Sequence, residues 1–389
     1  MIGRRTVLAG GAAAAMLPRA ALAAARGVYR AKIALEGDRV LVAVGIAGKG
    51  PYIFMIDTGG VVSLIHDSLA KELKLSQIGH SALGGAGGAD IYPLYKARDF
   101  VIGGTIRQAS VALVGAGELN FGEDIEGTLA AGIITVIDSE LDFDAGELRM
   151  YPDGRGERPG FAHVRSSIRR LGSSEGEESP YIFADVAMNG RSLDTMLDTG
   201  APGFLSLGPA AARASGLWDD TRPFSPYRPQ GVGGQGQLGR FIRVPSVTFG
   251  GVTIDRPIVT LRGQGTGIKA GAEIGDAIGG LALIRLFNLS VDAGSRQLWV
   301  QRSREQLPDQ HYGMSGLWLE RAADGIKVEV VGTGSPGAAA GILAGDSIVD
   351  MAWGPLLAMI NGKPGDIVKL TIVRDGARRP VEFALKPYL

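Results

Sequence analysis

Cysteine is absent from this 389-residue sequence, and histidine is scarce, with only four copies. Without cysteine the chain has no disulfide bond, no thiol nucleophile and no cysteine-ligated zinc or iron–sulfur centre. No two histidines have the spacing of metal ligands, because they are spread along the chain: His66, His80, His163 and His311. Thiol enzymes, histidine metal sites and Ser-His-Asp triads are therefore disfavoured, and we expect neither a metal nor a cofactor.

An excess of either charge is also missing, since 40 basic residues balance 40 acidic ones. Nucleic-acid-binding proteins carry a basic patch or stripe, so no nucleic-acid partner is predicted. Long apolar runs are lacking as well, and the strongest candidate, residues 277–289, is interrupted by Arg285. We therefore predict no membrane span.

Glycine and proline are abundant instead, with 60 and 19 residues, and 45% of the chain is hydrophobic. This composition, without a collagen-like period, favours β-structure with many tight turns around a buried core. The length predicts two or three domains.

The first 25 residues have the features of an export signal. Arg4 and Arg5 form a twin-arginine pair, a weakly apolar alanine- and glycine-rich stretch follows, and small-x-small cleavage sites lie within residues 21–25. The apolar run is too short to cross about 30 Å of hydrocarbon. We predict a cleaved twin-arginine-type signal peptide over residues 1–25 and a soluble periplasmic or secreted mature protein.

An internal duplication organises most of the remaining chain. Three landmarks of a first copy recur in the same order in a second: FMIDTGG at 54–60 as TMLDTGA at 195–201, Gly-Gly at 103–104 and again at 250–251, and FDAG at 143–146 as VDAG at 291–294. The offsets of 141, 147 and 148 drift by only seven residues, which is improbable by chance. We interpret the copies as two equivalent β-lobes, residues 26–160 and 161–302, followed by a linker over 303–312 and a separate segment over 313–389.

Asp57 and Asp198 occupy the same place in each copy, after an apolar strand and before Thr-Gly. Two equivalent lobes packed about a pseudo-twofold axis would bring these carboxylates together. Like charges that close cannot both ionise at neutral pH, so the pair would share a proton and the pKa of one member would rise. The protonated member can act as an acid while its ionised partner acts as a base on a water, which hydrolyses an amide without metal, thiol or histidine.

Two Asp-Thr-Gly motifs in a duplicated, glycine-rich β-chain resemble the pepsin- and retropepsin-like aspartic proteases, over about residues 28–302. The resemblance implies a mainly β, bilobal fold of two acid-protease β-barrels, with Asp57 and Asp198 as the catalytic residues. It also implies that the threonines lock the two loops across the axis. The supporting motif residues are then Thr58, Gly59, Thr199 and Gly200.

The first copy departs from the family pattern at two positions. Gly60 stands where the second copy has Ala201, and we expect this glycine to loosen the first loop. Ala130 aligns with Gly279, in a glycine-containing turn beneath each motif. A scaffold in which both aspartates are only turn residues stays open as the alternative.

A glycine-rich segment follows each aspartate by 27 or 33 residues. In the family a flap hairpin at this position closes over an extended peptide, and a flap in each copy resembles the two-flapped retropepsins. The resemblance assigns substrate contact to the flap glycines: Gly84, Gly85, Gly87 and Gly88 in the first copy, and Gly231, Gly233 and Gly234 in the second. Plain surface hairpins are the alternative.

Residues 313–389 match neither copy. Ser-Pro at 335–336, Ala-Gly at 340–341 and Gly-Asp at 345–346 resemble the PDZ domains of bacterial periplasmic proteases. The resemblance implies a small α+β PDZ-like domain that binds C-terminal peptide tails by strand addition, with a loop of Ser315, Gly316 and Leu317 capturing the carboxylate. The short connection between residues 348 and 361 predicts a truncated groove helix, so a domain without tail binding stays open.

Taken together, these features predict a monomeric periplasmic aspartic endopeptidase that acts on polypeptides, with a PDZ-like domain that recruits substrate or regulates access. Two alternatives remain. One is a non-catalytic peptide-binding protein that retains both folds, and the other is a chaperone or scaffold that works through the PDZ-like domain.

Overall fold

The computed structural model describes residues 5–6, 27–85, 88–117, 122, 124–170, 179–231, 234–264, 274–323 and 325–389. These residues are mainly β-strand, which confirms the predicted fold class. Only Arg5 and Thr6 of the predicted signal peptide are described, so the signal and its destination stay predictions, as do the domain boundaries. No helix within the described ranges is both long and apolar enough to span a membrane.

The first lobe is built of antiparallel hairpins that follow the alternation of apolar residues in the sequence. Every second residue of β3 (Arg39–Ile46) is buried, so one face of this strand covers the core of the lobe. The other strands of the lobe are β2 (Tyr29–Glu36), β4 (Lys49–Ile56), β5 (Leu64–Ile65), β6 (Ser76–Gly85), β7 (Gly88–Ile102), β8 (Ile106–Gly115), β9 (Ile125–Leu129), β10 (Asp138–Asp142) and β11 (Glu147–Tyr151). β1 (Arg5–Thr6) lies in the predicted signal peptide and pairs with the end of β6. The helices are short: α1 (Asp67–Glu72) and α2 (Gly132–Thr135).

The second lobe repeats this organisation. Asn189 and Gly190 both have positive φ angles, which suits the tight hairpin turn between its first long strands. The strands are β12 (Ala162–Val164), β13 (Ser166–Arg169), β14 (Tyr181–Met188), β15 (Arg191–Asp198), β16 (Leu205–Leu207), β17 (Ser225–Tyr227), β18 (Gln230–Gly231), β19 (Gly234–Gln235), β20 (Gly239–Arg243), β21 (Ser246–Phe249), β22 (Val252–Asp255), β23 (Ile258–Leu261), β24 (Ala277–Gly280), β25 (Phe287–Asp292) and β26 (Gln297–Arg302). The helices are α3 (Pro209–Ala214) and α4 (Leu281–Ile284).

The same strand pairing surrounds both Asp-Thr-Gly motifs. In the first lobe β4 runs parallel to β9, β9 pairs antiparallel with β5, and β5 runs parallel to β8. In the second lobe β15, β24, β16 and β23 are paired in the same three ways. Because β4 leads into Asp57 and β15 ends at Asp198, the duplication places the two aspartates at equivalent strand ends.

The strand registers correct one detail of the sequence comparison. Ile56 pairs with Leu129 and Leu197 pairs with Gly279, so Leu129, and not Ala130, is the counterpart of Gly279. Ala130 corresponds instead to Gly280. Equivalent residues of the two copies are 150 positions apart here, compared with 141 at the Asp-Thr-Gly motifs. The sequence has no shared motif at this point that would show where the second copy has the additional residues.

A sheet shared by both lobes joins them beneath the motifs. Its strand order is β2, β11, β10, β25, β26 and β12, and the lobes meet where β10 pairs with β25. Glu140 in β10 is only 2% exposed and is held by Arg149 at 3.2 Å, Arg155 at 2.5 Å and the hydroxyl of Tyr151 at 2.6 Å. A buried carboxylate with this many donors is compensated, so the network ties the strands of the shared sheet together.

Glu147 lies in the same sheet and makes the stability of the fold depend on pH. Hydrogen bonds from Lys32, at 3.0 Å, and Arg149, at 2.8 Å, lower the pKa of Glu147 from 4.5 to about 2. A lowered folded-state pKa stabilises the fold above the unfolded pKa, and this contribution disappears as the pH falls from 4.5 towards about 2.

We therefore expect Glu147→Gln to lower the free energy of unfolding at neutral pH by about 1 kcal/mol, since its exposed partners Lys32 and Arg30 are screened by solvent. The difference from wild type should shrink as the pH falls from about 4.5 to about 2. Urea unfolding at several pH values measures it. Glu36→Gln, an exposed carboxylate on neighbouring β2, is the matched control, and a difference that does not vary with pH would contradict the assignment.

The C-terminal module (residues 313–389) is a five-stranded antiparallel sheet with its own apolar cluster. Its elements are β27 (Leu317–Ala322), β28 (Gly325–Val331), β29 (Ser347–Val349), β30 (Ile367–Arg374), β31 (Ala377–Ala384), α5 (Pro336–Ala339) and α6 (Trp353–Ile360). Ser335 caps α5 by accepting the N–H of Ala338 at 3.1 Å. Asp346, only 1% exposed, accepts two hydrogen bonds from Arg374 at 2.7 Å, which secures the Gly-Asp turn.

Candidate active site

Asp57 and Asp198 are both buried, with 5% and 4% of their surfaces exposed. Each carboxylate accepts the N–H of the glycine two residues later: Gly59 donates to Asp57 Oδ1 at 3.1 Å and Gly200 donates to Asp198 Oδ1 at 2.8 Å. The two turns are therefore alike, and each fixes the orientation of its carboxylate relative to its own backbone.

The threonines of the two motifs form a reciprocal hydrogen-bond network between the lobes. Thr199 Oγ1 accepts the N–H of Thr58 at 3.0 Å, and Thr58 Oγ1 accepts the N–H of Thr199 at 2.9 Å. Each hydroxyl also donates to a carbonyl of the opposite lobe, Thr58 to Leu197 at 2.9 Å and Thr199 to Ile56 at 2.7 Å. With both threonines at most 1% exposed, this network holds the two motif loops in one relative position.

The motif glycines show how close the two carboxylates lie. A Cβ atom added to Gly59 would overlap the Asp198 carboxylate, at 2.5 Å from Oδ2. A Cβ added to Gly200 would overlap the Asp57 carboxylate, at 2.7 Å from Cγ and 3.1 Å from Oδ2. Each carboxylate thus rests against the glycine of the other motif, so the axis between the lobes passes between the two acids. Only glycine leaves room for this approach.

The fourth motif position differs between the lobes, yet both loops make the same backbone hydrogen bond there. Gly60 donates its N–H to Asp57 O at 3.1 Å, and Ala201 donates its N–H to Asp198 O at 3.2 Å. A Cβ on Gly60 would lie 3.3 Å from its nearest neighbours, Asp57 O and Oδ2. The first loop therefore has the same hydrogen-bonded turn as the second, and the loosening expected from Gly60 is not visible in it.

The first flap segment is a hairpin of β6 and β7, closed by pairing of Gly84 with Ala89 and of Gly85 with Gly88. Gly87 lies outside the described residues. Pairing of β7 with β8 begins only at Leu94, so the hairpin projects beyond β8. At its far end β1 pairs with β6, Arg5 with Gly85 and Thr6 with Gly84. Gly84, Gly85 and Gly88 are therefore near the tip of a projecting hairpin, the location that a flap requires.

The root of this hairpin is tied to α1. The Tyr95 hydroxyl donates to Asp67 Oδ1 at 2.7 Å, and Lys71 pairs with Asp67 at 2.6 Å. Burial and the hydrogen bond to Asp67 raise the pKa of Tyr95 to about 12. Burial opposes the ionised form of Asp67, yet the bonds from Lys71 and Tyr95 bring its pKa below the ordinary value.

The second flap segment forms a separate small hairpin of β18 and β19, in which Gly231 pairs with Gly234. Gly233 lies outside the described residues. The hairpin connects β17 to β20, and these strands correspond to β6 and β7 of the first lobe. The correspondence follows from the strand pairing: β7 pairs with β8 at Leu94 and Val114, and β20 pairs with β23 in the same way at Phe241 and Thr260. The two hairpins therefore leave equivalent strands of the two lobes.

The loop proposed to capture a peptide carboxylate uses its N–H groups internally. Gly316 has a φ of +70° and donates its N–H to Gly313 O at 3.0 Å, and Leu317 donates to Ser315 Oγ at 3.3 Å. The helix expected to be truncated is α6, which has eight residues. Arg321 on β27 stacks over the ring of Trp353 on α6 at 4.9 Å, so β27 and α6 face each other.

Sequence reasoning missed two contacts that support the first motif loop. Ser63 Oγ accepts the N–H of Ala130 at 3.0 Å, and Val61 O accepts the N–H of Ser179 at 3.2 Å, a residue just before β14 of the second lobe. Ser63 gave a signal, since it is a single polar residue within the apolar run 61–65 and such a residue needs a partner when buried. The Ser179 contact has no signal in the local sequence.

Several carboxylates of the described residues lie in arginine networks, as Glu140 does with Arg149 and Arg155. In the part of the chain that the structure describes, no group of three or more histidine, aspartate or glutamate residues could hold a metal ion. The two motif aspartates are thus the titratable pair that the fold brings together at its axis of symmetry.

Residues 42–134 match the aspartyl protease family model. The matched segment contains Asp57, the first flap hairpin and β9, which is most of the first lobe. The aspartic proteinase from Irpex lacteus is similar in structure, with a TM-score of 0.44 and 14% identity, covering 72% of this chain and 98% of its own. No curated protein has a significant match. The family match covers about a quarter of the chain, and residues 27–302 are termed the protease-like body below.

Proposed function

We propose that this protein is an aspartic endopeptidase that uses Asp57 and Asp198 to activate one water molecule. The observation that carries the proposal is the reciprocal placement of the two carboxylates, each against the glycine of the other motif, with the threonine network joining the loops. The family match to residues 42–134 supports the same class of chemistry.

The mechanism follows from two adjacent carboxyl groups that share one proton. The ionised carboxylate accepts a proton from the water while the water oxygen attacks the carbonyl carbon of the peptide bond. The protonated carboxyl donates its proton to the carbonyl oxygen. The tetrahedral intermediate then collapses as the C–N bond breaks: the carboxyl that took the water proton donates it to the leaving nitrogen, and a hydroxyl of the intermediate returns a proton to the other carboxylate. A carboxylic acid and an amine are released, and the pair again shares one proton. The Gly59 and Gly200 N–H groups keep both carboxylates oriented throughout.

The substrate that suits this arrangement is an extended polypeptide. Two hairpins with glycine-rich tips leave equivalent strands of the lobes, and an extended chain held beneath them can hydrogen-bond strand to strand. We further propose that the signal over residues 1–25 directs the enzyme to the periplasm. The C-terminal module is proposed to be PDZ-like; tail capture at Ser315–Leu317 would require the Gly316 and Leu317 N–H groups to release their internal acceptors.

Turnover of an unfolded polypeptide tests the proposal. Purified protein incubated with casein from about pH 3 to about pH 8 should produce internal fragments, detected by mass spectrometry of new termini. Protein carrying Asp57→Asn, purified in parallel, controls for contaminating proteases. A wild type that is inert across the whole range, yet binds casein, would overturn the proposal in favour of a non-catalytic peptide-binding protein.

A further inference from the structure

The C-terminal module is docked on the second lobe next to the second flap hairpin. Phe224 donates its N–H to Thr333 O at 3.2 Å and accepts the Tyr388 hydroxyl at 3.0 Å, while the Ser225 hydroxyl donates to Gly313 O at 3.0 Å. Phe224 is itself buried in the core of the protease-like body. The module is therefore anchored at the start of β17, only a few residues before β18.

Arg228, between β17 and β18, connects the module to the hairpin. Its guanidinium pairs with Glu320 at 3.0 Å, lies 5.8 Å from the ring centre of Trp318, and donates to Gln235 Oε1 at 3.5 Å. Gln235 is the last residue of β19 and pairs with Gln230, so the Arg228 side chain contacts both the module and the root of the hairpin. The Arg228 side chain is 23% exposed, which reduces the screening of its charge by solvent.

The partner of Arg228 is held in place by the fold of the module. The Trp318 indole N–H donates to the same Glu320 oxygen at 2.8 Å, which orients the carboxylate. Along β27, Leu317 and Leu319 belong to the apolar cluster of the module, whereas Trp318 and Glu320 alternate with them and meet the second lobe. One face of β27 thus packs in the module and the other meets the root of the flap.

We propose that Arg228 is a positioning residue for the second flap hairpin. In this proposal Glu320 of the C-terminal module holds Arg228, and Arg228 in turn holds the hairpin. The inference rests on the proposed function in one respect, that the hairpin closes over a polypeptide. The module then contributes to substrate affinity through Arg228, without touching the substrate, by restricting the hairpin to the orientation that holds the peptide.

Glu320→Gln removes the charge of the partner and keeps its shape. We expect KM for an unfolded polypeptide to rise about fivefold, with kcat unchanged within about twofold, because the pair acts on binding and not on the carboxylates. Hydrogen exchange of the peptide spanning residues 230–235 should accelerate by a similar factor. Glu382→Gln, which breaks the exposed pair with Lys369 on the same module, is the matched control and should change neither quantity.

Rescue separates positioning from general stability. The double variant Arg228→Glu, Glu320→Arg restores an opposite-charge pair but removes the acceptor of the Trp318 indole N–H and the donor to Gln235 Oε1. It should therefore recover part of the wild-type KM, to a value below that of Glu320→Gln. Arg228→Lys keeps the charge but not the planar fork, and should lie between wild type and Glu320→Gln. If Glu320→Gln leaves both KM and hydrogen exchange at wild-type values, the proposal is wrong. If the wild type cleaves nothing, the proposed function fails, and the exchange measurement alone decides whether the module holds the hairpin.

Discussion

Replacement of Asp57 or of Asp198 by asparagine is expected to reduce kcat for polypeptide hydrolysis by at least about 10³-fold. An amide has nearly the shape of the carboxylate but can neither accept the proton of the attacking water nor donate one to the carbonyl oxygen. Because the two acids share one function, each single variant should be almost as inactive as the double variant. Steady-state cleavage of a labelled unfolded polypeptide measures the loss.

The same substitution at a carboxylate outside the site is the control. Asp185 lies on β14 beside the strand of Asp198, and its carboxylate pairs with Arg165 at 3.6 Å. Asp185→Asn should keep activity within about twofold of wild type. Substrate binding by the motif variants, measured by fluorescence anisotropy, should survive. Retention of substantial cleavage by either motif variant would exclude the two-carboxylate mechanism.

Addition of a single methyl group at Gly59 or Gly200 is expected to reduce kcat/KM by about 10²-fold or more. The new Cβ would overlap the carboxylate of the opposite motif, at 2.5 Å from Asp198 Oδ2 for Gly59→Ala and 2.7 Å from Asp57 Cγ for Gly200→Ala. The carboxylates must then move apart, which disrupts the geometry needed for a shared proton and a bridging water. Kinetics combined with thermal unfolding measures both activity and fold.

Gly60→Ala provides a matched control one residue away. It makes the first motif identical to the second, in which Ala201 is fully buried, and its Cβ would lie no nearer than 3.3 Å to other atoms. We expect activity within about threefold of wild type. A Gly59→Ala variant as active as Gly60→Ala would mean that the two carboxylates do not need the close approach that the structure describes.

The repeated Asp-Thr-Gly motif, the duplicated lobes and the mainly β fold were predictable from the sequence, because each depends on short-range patterns. Alternation of apolar residues marks β3, and Asn189-Gly190 marks a hairpin turn. The aspartates were identifiable because the same seven-residue pattern occurs twice at corresponding places in the chain.

Registers and contacts between distant segments could not be predicted in this way. The pairing of Leu197 with Gly279 depends on how many residues the intervening loop uses, and that number is set by how the strands pack. The Ser63 hydroxyl was visible as a polar residue in an apolar run, but its acceptance of the Ala130 N–H was not.

The sequence by itself determined which groups are proposed for the chemistry: two aspartates, with the glycines and threonines beside them as supporting residues. The tertiary structure decided that each carboxylate lies against the glycine of the other motif. It also decided that the Gly316 and Leu317 N–H groups have acceptors within their own loop. Finally, it brought the C-terminal module to the second flap hairpin through Arg228 and Glu320. The physical reason is distance along the chain. Residues 92 positions apart, such as Arg228 and Glu320, come into contact only through the packing of everything between them, which no local pattern encodes.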